Sequence, residues 1–207
     1  MTFDELLARQ SGRFTRGQAR TGGFSAYRIG RRIESGEWRV VHGRVLALAA
    51  VPDSLPSREW VALLSAGPGA TFAGPSAARR HSFEISDARP CVLVPPDRRP
   101  DVPDGVVVLR RELPIVDIVA REDCLLTGRD CTVIDCALLL DEPAAMRFVE
   151  RALQSPGSLP TRSSPCAPRR RSVDVGRSSW SPSSGRSGPE RTRTPSADWS
   201  RDFAHTG

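Results

Sequence analysis

Apolar positions in the first fifty residues recur three and four apart, in short runs that each begin after a hydroxylated residue. Phe3, Leu6 and Leu7 follow Thr2-Phe-Asp-Glu5, a capping box in which the threonine oxygen and the glutamate satisfy the free amides of a helix start. This predicts a helix from Phe3 to about Gln10. Thr15-Arg-Gly-Gln18 repeats the box, and Gly22-Gly23 closes a second short helix with residues that tolerate left-handed backbone. Ser25 is an N-cap for a third helix, and Phe24 before it is spaced to staple onto Ile29. After Ser35-Gly36 the period falls to two. Trp38 to Val41, a His42-Gly43 turn and Arg44 to Leu48 predict a hairpin. Three small helices joined by tight turns and followed by a hairpin make a winged helix-turn-helix over residues 1–50.

A second pattern starts beyond the Pro52 to Pro56 linker. Ser57 is placed to cap a helix carrying Trp60, Val61 and Leu64, which Gly67-Pro-Gly69 ends. Gly74-Pro75 opens another helix through Ala77, Ala78 and His81. Cys91 to Val94 and Gly105 to Leu109 read as paired strands with a proline- and aspartate-rich turn between them. Two helices follow, Cys131 to Leu140 and Pro143 to Leu153, the second with Met146, Val149 and Leu153 on one face. The expected class is α+β: the winged helix-turn-helix, a small mixed α/β second domain at 55–154, and a disordered tail at 155–207.

Composition supports that partition. The tail holds 13 Ser, 7 Pro and 9 Arg among its 53 residues and has almost no aliphatic side chains to bury. Of the net charge of +6, residues 1–44 contribute nine arginines against four acids, residues 45–154 twelve against sixteen, and the tail nine against four. A basic N-terminal segment beside an acidic middle is the asymmetry of a chain whose first part meets a polyanion. Every Lys/Arg position is arginine, which excludes Schiff-base chemistry, a P-loop and lysine-containing nuclease motifs for the chain as written. No apolar leader follows Met1 and no run of about 18 apolar residues occurs, so the reading is cytoplasmic with no membrane partner.

Candidate chemistry concentrates on the third helix. At 100° per residue Ala26, Ile29 and Ile33 cluster on one side, with Arg28, Arg31 and Arg32 roughly opposite. The apolar side is suited to pack on the first two helices. A guanidinium fork on the other matches guanine O6 and N7, or phosphate. Ser25 and Tyr27 at the helix start, Arg16 on the second helix, and Arg39 and Arg44 on the wing are candidate backbone contacts to double-stranded DNA. Two blander readings compete, a merely solvated helix and an arginine face for an acidic protein. The capped three-helix and hairpin context favours DNA.

Elsewhere the residues offer less. Cys91, Cys124, Cys131, Cys136 and Cys166 are odd in number and contain no C-x-x-C pair, so no disulfide framework is expected. Cys124, Cys131, Cys136 and His81 match no zinc spacing. His81 and Asp135 are more naturally capping or core-satisfying groups than an acid–base pair. The expectation is a binding protein, not an enzyme, with no cofactor and no metal.

Leu6-Leu-Ala-Arg-Gln10, Thr15-Arg-Gly-Gln-Ala19, Arg31-Arg-Ile-Glu-Ser-Gly-Glu-Trp38 and Val41-His-Gly-Arg-Val45 together resemble the N-terminal domain of AbiEi-type antitoxins from type IV toxin–antitoxin systems. Trp60-Val-Ala-Leu-Leu64, Gly74-Pro-Ser-Ala-Ala78 with His81, Val92-Leu-Val-Pro95 and Thr132-Val-Ile-Asp135 are similar to segments that follow it in actinobacterial members, so the resemblance covers about three quarters of the chain. It implies a transcriptional repressor of its own operon, with a nucleotidyltransferase-like toxin as protein partner. The second domain would then serve dimerisation or partner binding, a homodimer presenting two recognition helices. Many relatives of this architecture resemble proteins that end in a very-short-patch-repair-like endonuclease domain, and this chain departs from them after about Gln154. The alternative reading is therefore a truncated or frameshifted relative without catalytic activity, its lysine-free tail an out-of-frame product of a high-GC gene. A genuine basic tail adding unspecific phosphate attraction is the other account of that tract. Translation of the other two frames decides between them, and patternless frames would sink the frameshift.

Overall fold

A computed structural model of the chain describes residues 1–121 and 124–155, together with the backbone of 174–175. The first unit is built from α1 (Phe3–Arg9), β1 (Arg13–Thr15), α2 (Arg16–Thr21), α3 (Ala26–Glu34), β2 (Trp38–His42) and β3 (Val45–Leu48). Both capping boxes form. Thr2 Oγ1 accepts from Glu5 N at 3.2 Å while Thr2 N donates to the Glu5 carboxylate at 2.8 Å, and Thr15 and Gln18 repeat the exchange at 3.1 and 2.8 Å. Ser25 caps α3 as its position dictates. Of the glycine pair that ends α2, Gly23 carries the left-handed conformation and Gly22 does not.

β1 has no counterpart among the elements predicted from the sequence. Three residues between two helices show no period, yet β1 pairs antiparallel with β3, giving the order β1-β3-β2. Gly12 makes the sharp entry, with φ +71° and the side chain of Val51 2.9 Å from where a Cβ would stand. Register then sorts the sheet into two faces. Phe14, Trp38 and Leu46 pack with Ala19 and Ile29 of the helices, in a cluster whose Phe14 and Trp38 ring centroids lie 4.8 Å apart edge to face. Arg13, Ala47 and Arg39 are aligned on the opposite face.

That opposite face is covered by α4 (Leu55–Ala66), which also packs on the second unit. Its N-cap is Ser54, not Ser57. The two serines exchange hydrogen bonds at 2.8 and 3.3 Å, and Pro56 sits inside the first turn, where its missing N–H costs nothing.

The second unit contains β4 (Thr71–Phe72), α5 (Gly74–Arg80), β5 (Cys91–Val94), β6 (Val107–Arg110), a 3-10 turn at Ile115–Asp117, β7 (Ile118–Arg121), β8 (Cys124–Thr127), α6 (Arg129–Leu139), α7 (Glu142–Gln154) and β9 (Asp174–Val175). The sheet order is β7-β8-β4-β5-β6-β9. β5 and β6 pair as expected, but in parallel. Residues 95–106 therefore form a crossover rather than a turn, and twelve residues are enough for one. Trp60 and Ala62 of α4 close over Phe72, Val92, Val94 and Leu126. On α7 the buried side chains are Phe148 and Ala152, packed with Phe83 and Cys136. Met146 and Leu153, expected on the packing face with Val149, are about 60% exposed because the larger Phe148 ring takes the contact. The molecule is α+β. Apart from Ser155 and the strand β9, which pairs antiparallel with β6, the tract expected to be disordered lies outside the described residues.

Candidate nucleic-acid interface

The outward side of α3 follows from its packing. Ile29 is buried and Ile33 half-buried against Phe14 and Trp38, so Tyr27, Arg28 and Arg31 are turned to solvent, Tyr27 to 75% exposure. Ser25 is also exposed, and its hydroxyl accepts from Arg28 N at 3.3 Å, fixing the helix start. The Arg28 guanidinium stands 4.9 Å from the Phe24 ring centroid, while Arg31 lies 3.6 Å from Glu34 in a pair with both partners about two-thirds exposed. Water screens such a pair, and it holds the fork weakly. Arg16 at the start of α2 is exposed as well.

The other three sequence candidates are placed differently. Arg32 turns inward from the outer face: its guanidinium lies 5.2 Å from the Phe24 ring and 5.3 Å from the Trp38 ring, and it is ion-paired with Glu37. It braces α3 on the hairpin. Arg39 lies on the α4 side of the three-stranded sheet, with Nη2 donating to Asp53 at 2.6 Å. Arg44 reaches the C-terminal end of α4, where a Cβ on Gly67 would overlap its guanidinium. The structure thus brings Ser25, Tyr27, Arg28 and Arg31 together on one helix and directs Arg39 and Arg44 toward the second unit. Arg20 is absent from the sequence-predicted set. It is exposed one turn beyond Arg16, and the i, i+4 spacing was the signal available.

Asp53, in the linker after β3, is tied back to the three-stranded sheet. It accepts from the fully buried Arg13 at 2.7 Å as well as from Arg39. Burial opposes its charge, but the two guanidiniums outweigh that and hold its carboxyl below the usual carboxylate range. Burial lowers the pKa of Arg13 despite this partner.

In the second unit several buried polar side chains are paired with one another. Glu59 is buried and accepts from Arg79 at 2.5 and 2.9 Å and from Arg80 at 2.6 Å. Asp135 takes both ends of Arg111, at 2.6 and 2.8 Å, and burial still raises its pKa above the ordinary carboxylate value. His81 Nε2 meets the Thr127 carbonyl at 2.8 Å, so His81 and Asp135 have separate partners. Burial pushes the Cys91 and Cys136 thiols far up, which keeps them protonated. Among the described residues no group of three or more His, Cys, Asp or Glu is placed to hold a metal ion, and no helix is long and apolar enough to cross a membrane.

No protein-family model matches the chain, and no curated protein matches it.

Proposed function

We propose that the protein is a DNA-binding transcriptional regulator, an AbiEi-like antitoxin that represses its own operon from the cytoplasm and acts by binding rather than catalysis. The observation that carries this reading is the solvent face of α3. A capped helix whose inner side is anchored by Ile29 presents Tyr27, Arg28 and Arg31 on its outer side, with Arg16 and Arg20 on the preceding helix. In the major groove, Arg28 and Arg31 would meet base edges with bidentate forks, while Ser25, Tyr27, Arg16 and Arg20 would meet phosphates. Arg39 and Arg44 are assigned to the joint with the second unit rather than to DNA, given their contacts with Asp53 and α4. The second unit is assigned to partner binding, with a toxin or a second copy of the chain as the partner.

The test is binding of the full chain to DNA from upstream of its own gene, against scrambled DNA of equal length at two salt concentrations. A margin of about tenfold or more for the upstream DNA is expected, on the order of 1.4 kcal/mol. An Arg28→Ala, Arg31→Ala double variant should erase that margin. Equal affinity for both DNAs, or a margin that survives the double variant, overturns the reading.

A further inference from the structure

Gly30 stands in the middle of α3 without a left-handed φ, and nothing lies within 4 Å of where its Cβ would be. Every other described glycine either takes a positive φ or has an atom within that distance. Glycine is among the least favourable residues inside a helix, because it gives up the most backbone freedom on folding. The fold therefore loses stability at Gly30 and gains neither a turn nor a close packing contact from it. Its place on the helix shows what could use the gap. At 100° per residue Gly30 lies on the flank between the buried Ile29 and the outward Arg31, and Arg28 is nearly opposite. A helix with its side chains is about 10–12 Å across, and the major groove of DNA is about 12 Å wide. A helix in that groove has its outer side chains on the floor of base edges and its flanks close to the two sugar–phosphate walls. At Gly30 the flank is bare backbone. The only acid on α3, Glu34, is one turn further on and is paired with Arg31, at the end that leaves the groove when the start capped by Ser25 leads.

We infer that Gly30 is the point of closest approach to DNA: the flank of α3 at Gly30 rests against one sugar–phosphate wall of the major groove, where a side chain would hold the helix off. This deepens the function proposed above and rests on it. The consequence is depth. Arg28 and Arg31 reach base edges only as far as the backbone of α3 comes down between the walls, and the missing side chain sets how far that is.

The test measures urea unfolding and affinity for the upstream DNA in full-chain Gly30→Ala and Gly30→Gln variants. Alanine and glutamine are both better helix formers than glycine and neither changes the charge, so both variants should unfold at higher urea than the wild type. Both should nevertheless bind the DNA more weakly, the alanine variant by about threefold and the longer glutamine variant by about tenfold or more. A glycine kept for the fold alone would not give these opposite signs. A lower urea midpoint in Gly30→Ala shows that the fold itself needs the glycine and overturns the inference. Wild-type DNA affinity in Gly30→Gln also overturns it, and leaves the proposed function standing where the wild-type chain prefers the upstream DNA. If the wild-type chain binds neither DNA, the proposed function fails and the inference falls with it.

Discussion

The outward arginines of α3 and the paired arginines of the second unit are held in opposite ways. On α3, Arg28 and Arg31 are exposed and held by at most a ring face or a screened carboxylate. In the second unit Arg79 and Arg80 converge on Glu59, Arg111 on Asp135 and Arg89 on Asp87, each carboxylate buried or nearly so. An arginine whose donors are spent on a buried acid has no fork to present, and losing that acid would leave its charge uncompensated. Residue type does not separate a recognition group from a brace. The location of the nearest carboxylate does.

The largest effect expected from this contrast belongs to Glu59. Glu59→Ala leaves Arg79 and Arg80 with charged heads mostly enclosed and no counter-ion, a loss of about 3 kcal/mol. It should appear as a lower urea midpoint with unchanged slope. A midpoint that does not move would place Arg79 and Arg80 with the exposed arginines and break the contrast.

Next come the α3 positions, where the effects should appear in binding and leave stability alone. Arg28→Ala and Arg31→Ala should each weaken affinity for the upstream DNA about tenfold, roughly 1.4 kcal/mol, with the urea midpoint of the full chain unmoved. Arg32 sharpens the comparison because it sits on the same helix yet packs inward. Arg32→Ala removes cation contacts to Phe24 and Trp38 and should cost about 1 kcal/mol of stability. A variant that keeps its midpoint but loses DNA affinity would return Arg32 to the recognition face.

Arg32 also marks the limit of what local sequence can specify. Elements announced by local chemistry were legible: both capping boxes, the Ser25 cap, the wing hairpin and the helices after Gly67 and Leu140. Elements whose identity depends on distant partners were not. β1 exists because β3 runs alongside it thirty residues later, and β5 and β6 are parallel because a proline-rich crossover carries the chain over rather than back. The helical wheel placed Arg28 and Arg31 correctly on the outside. It misplaced Arg32, since a wheel gives direction from the axis but not the aromatic rings of Phe24 and Trp38 that draw a flanking guanidinium inward. Arg39 was unreadable for the same reason: its partner Asp53 lies in the linker, beyond any local period.

The smallest effect separates the second unit's buried polar groups by pH. His81 is buried, and burial pushes its pKa below the usual histidine value. The hydrogen bond to the Thr127 carbonyl pulls the other way, and Arg129 and Arg121 add to the lowering. The unfolded chain takes up this proton near pH 6.5 and the folded chain does so only at lower pH. The stability His81 contributes is therefore full above that value and is lost as pH falls through it toward the folded pKa. Asp53 and Asp87, both lowered from 3.8, lose theirs only at more acid pH, in a separate window. Asp135 runs in the opposite sense, since burial raises its pKa: its contribution is full below 3.8 and is lost as pH rises through the folded value. Asp135 is common to wild type and a His81→Gln variant, so it cancels in their difference. Between pH 7.5 and 5.5 the wild-type urea midpoint should fall further than that of His81→Gln, even though the variant starts lower for want of the imidazole bond. Equal falls would show that His81 is not the group that titrates in this window.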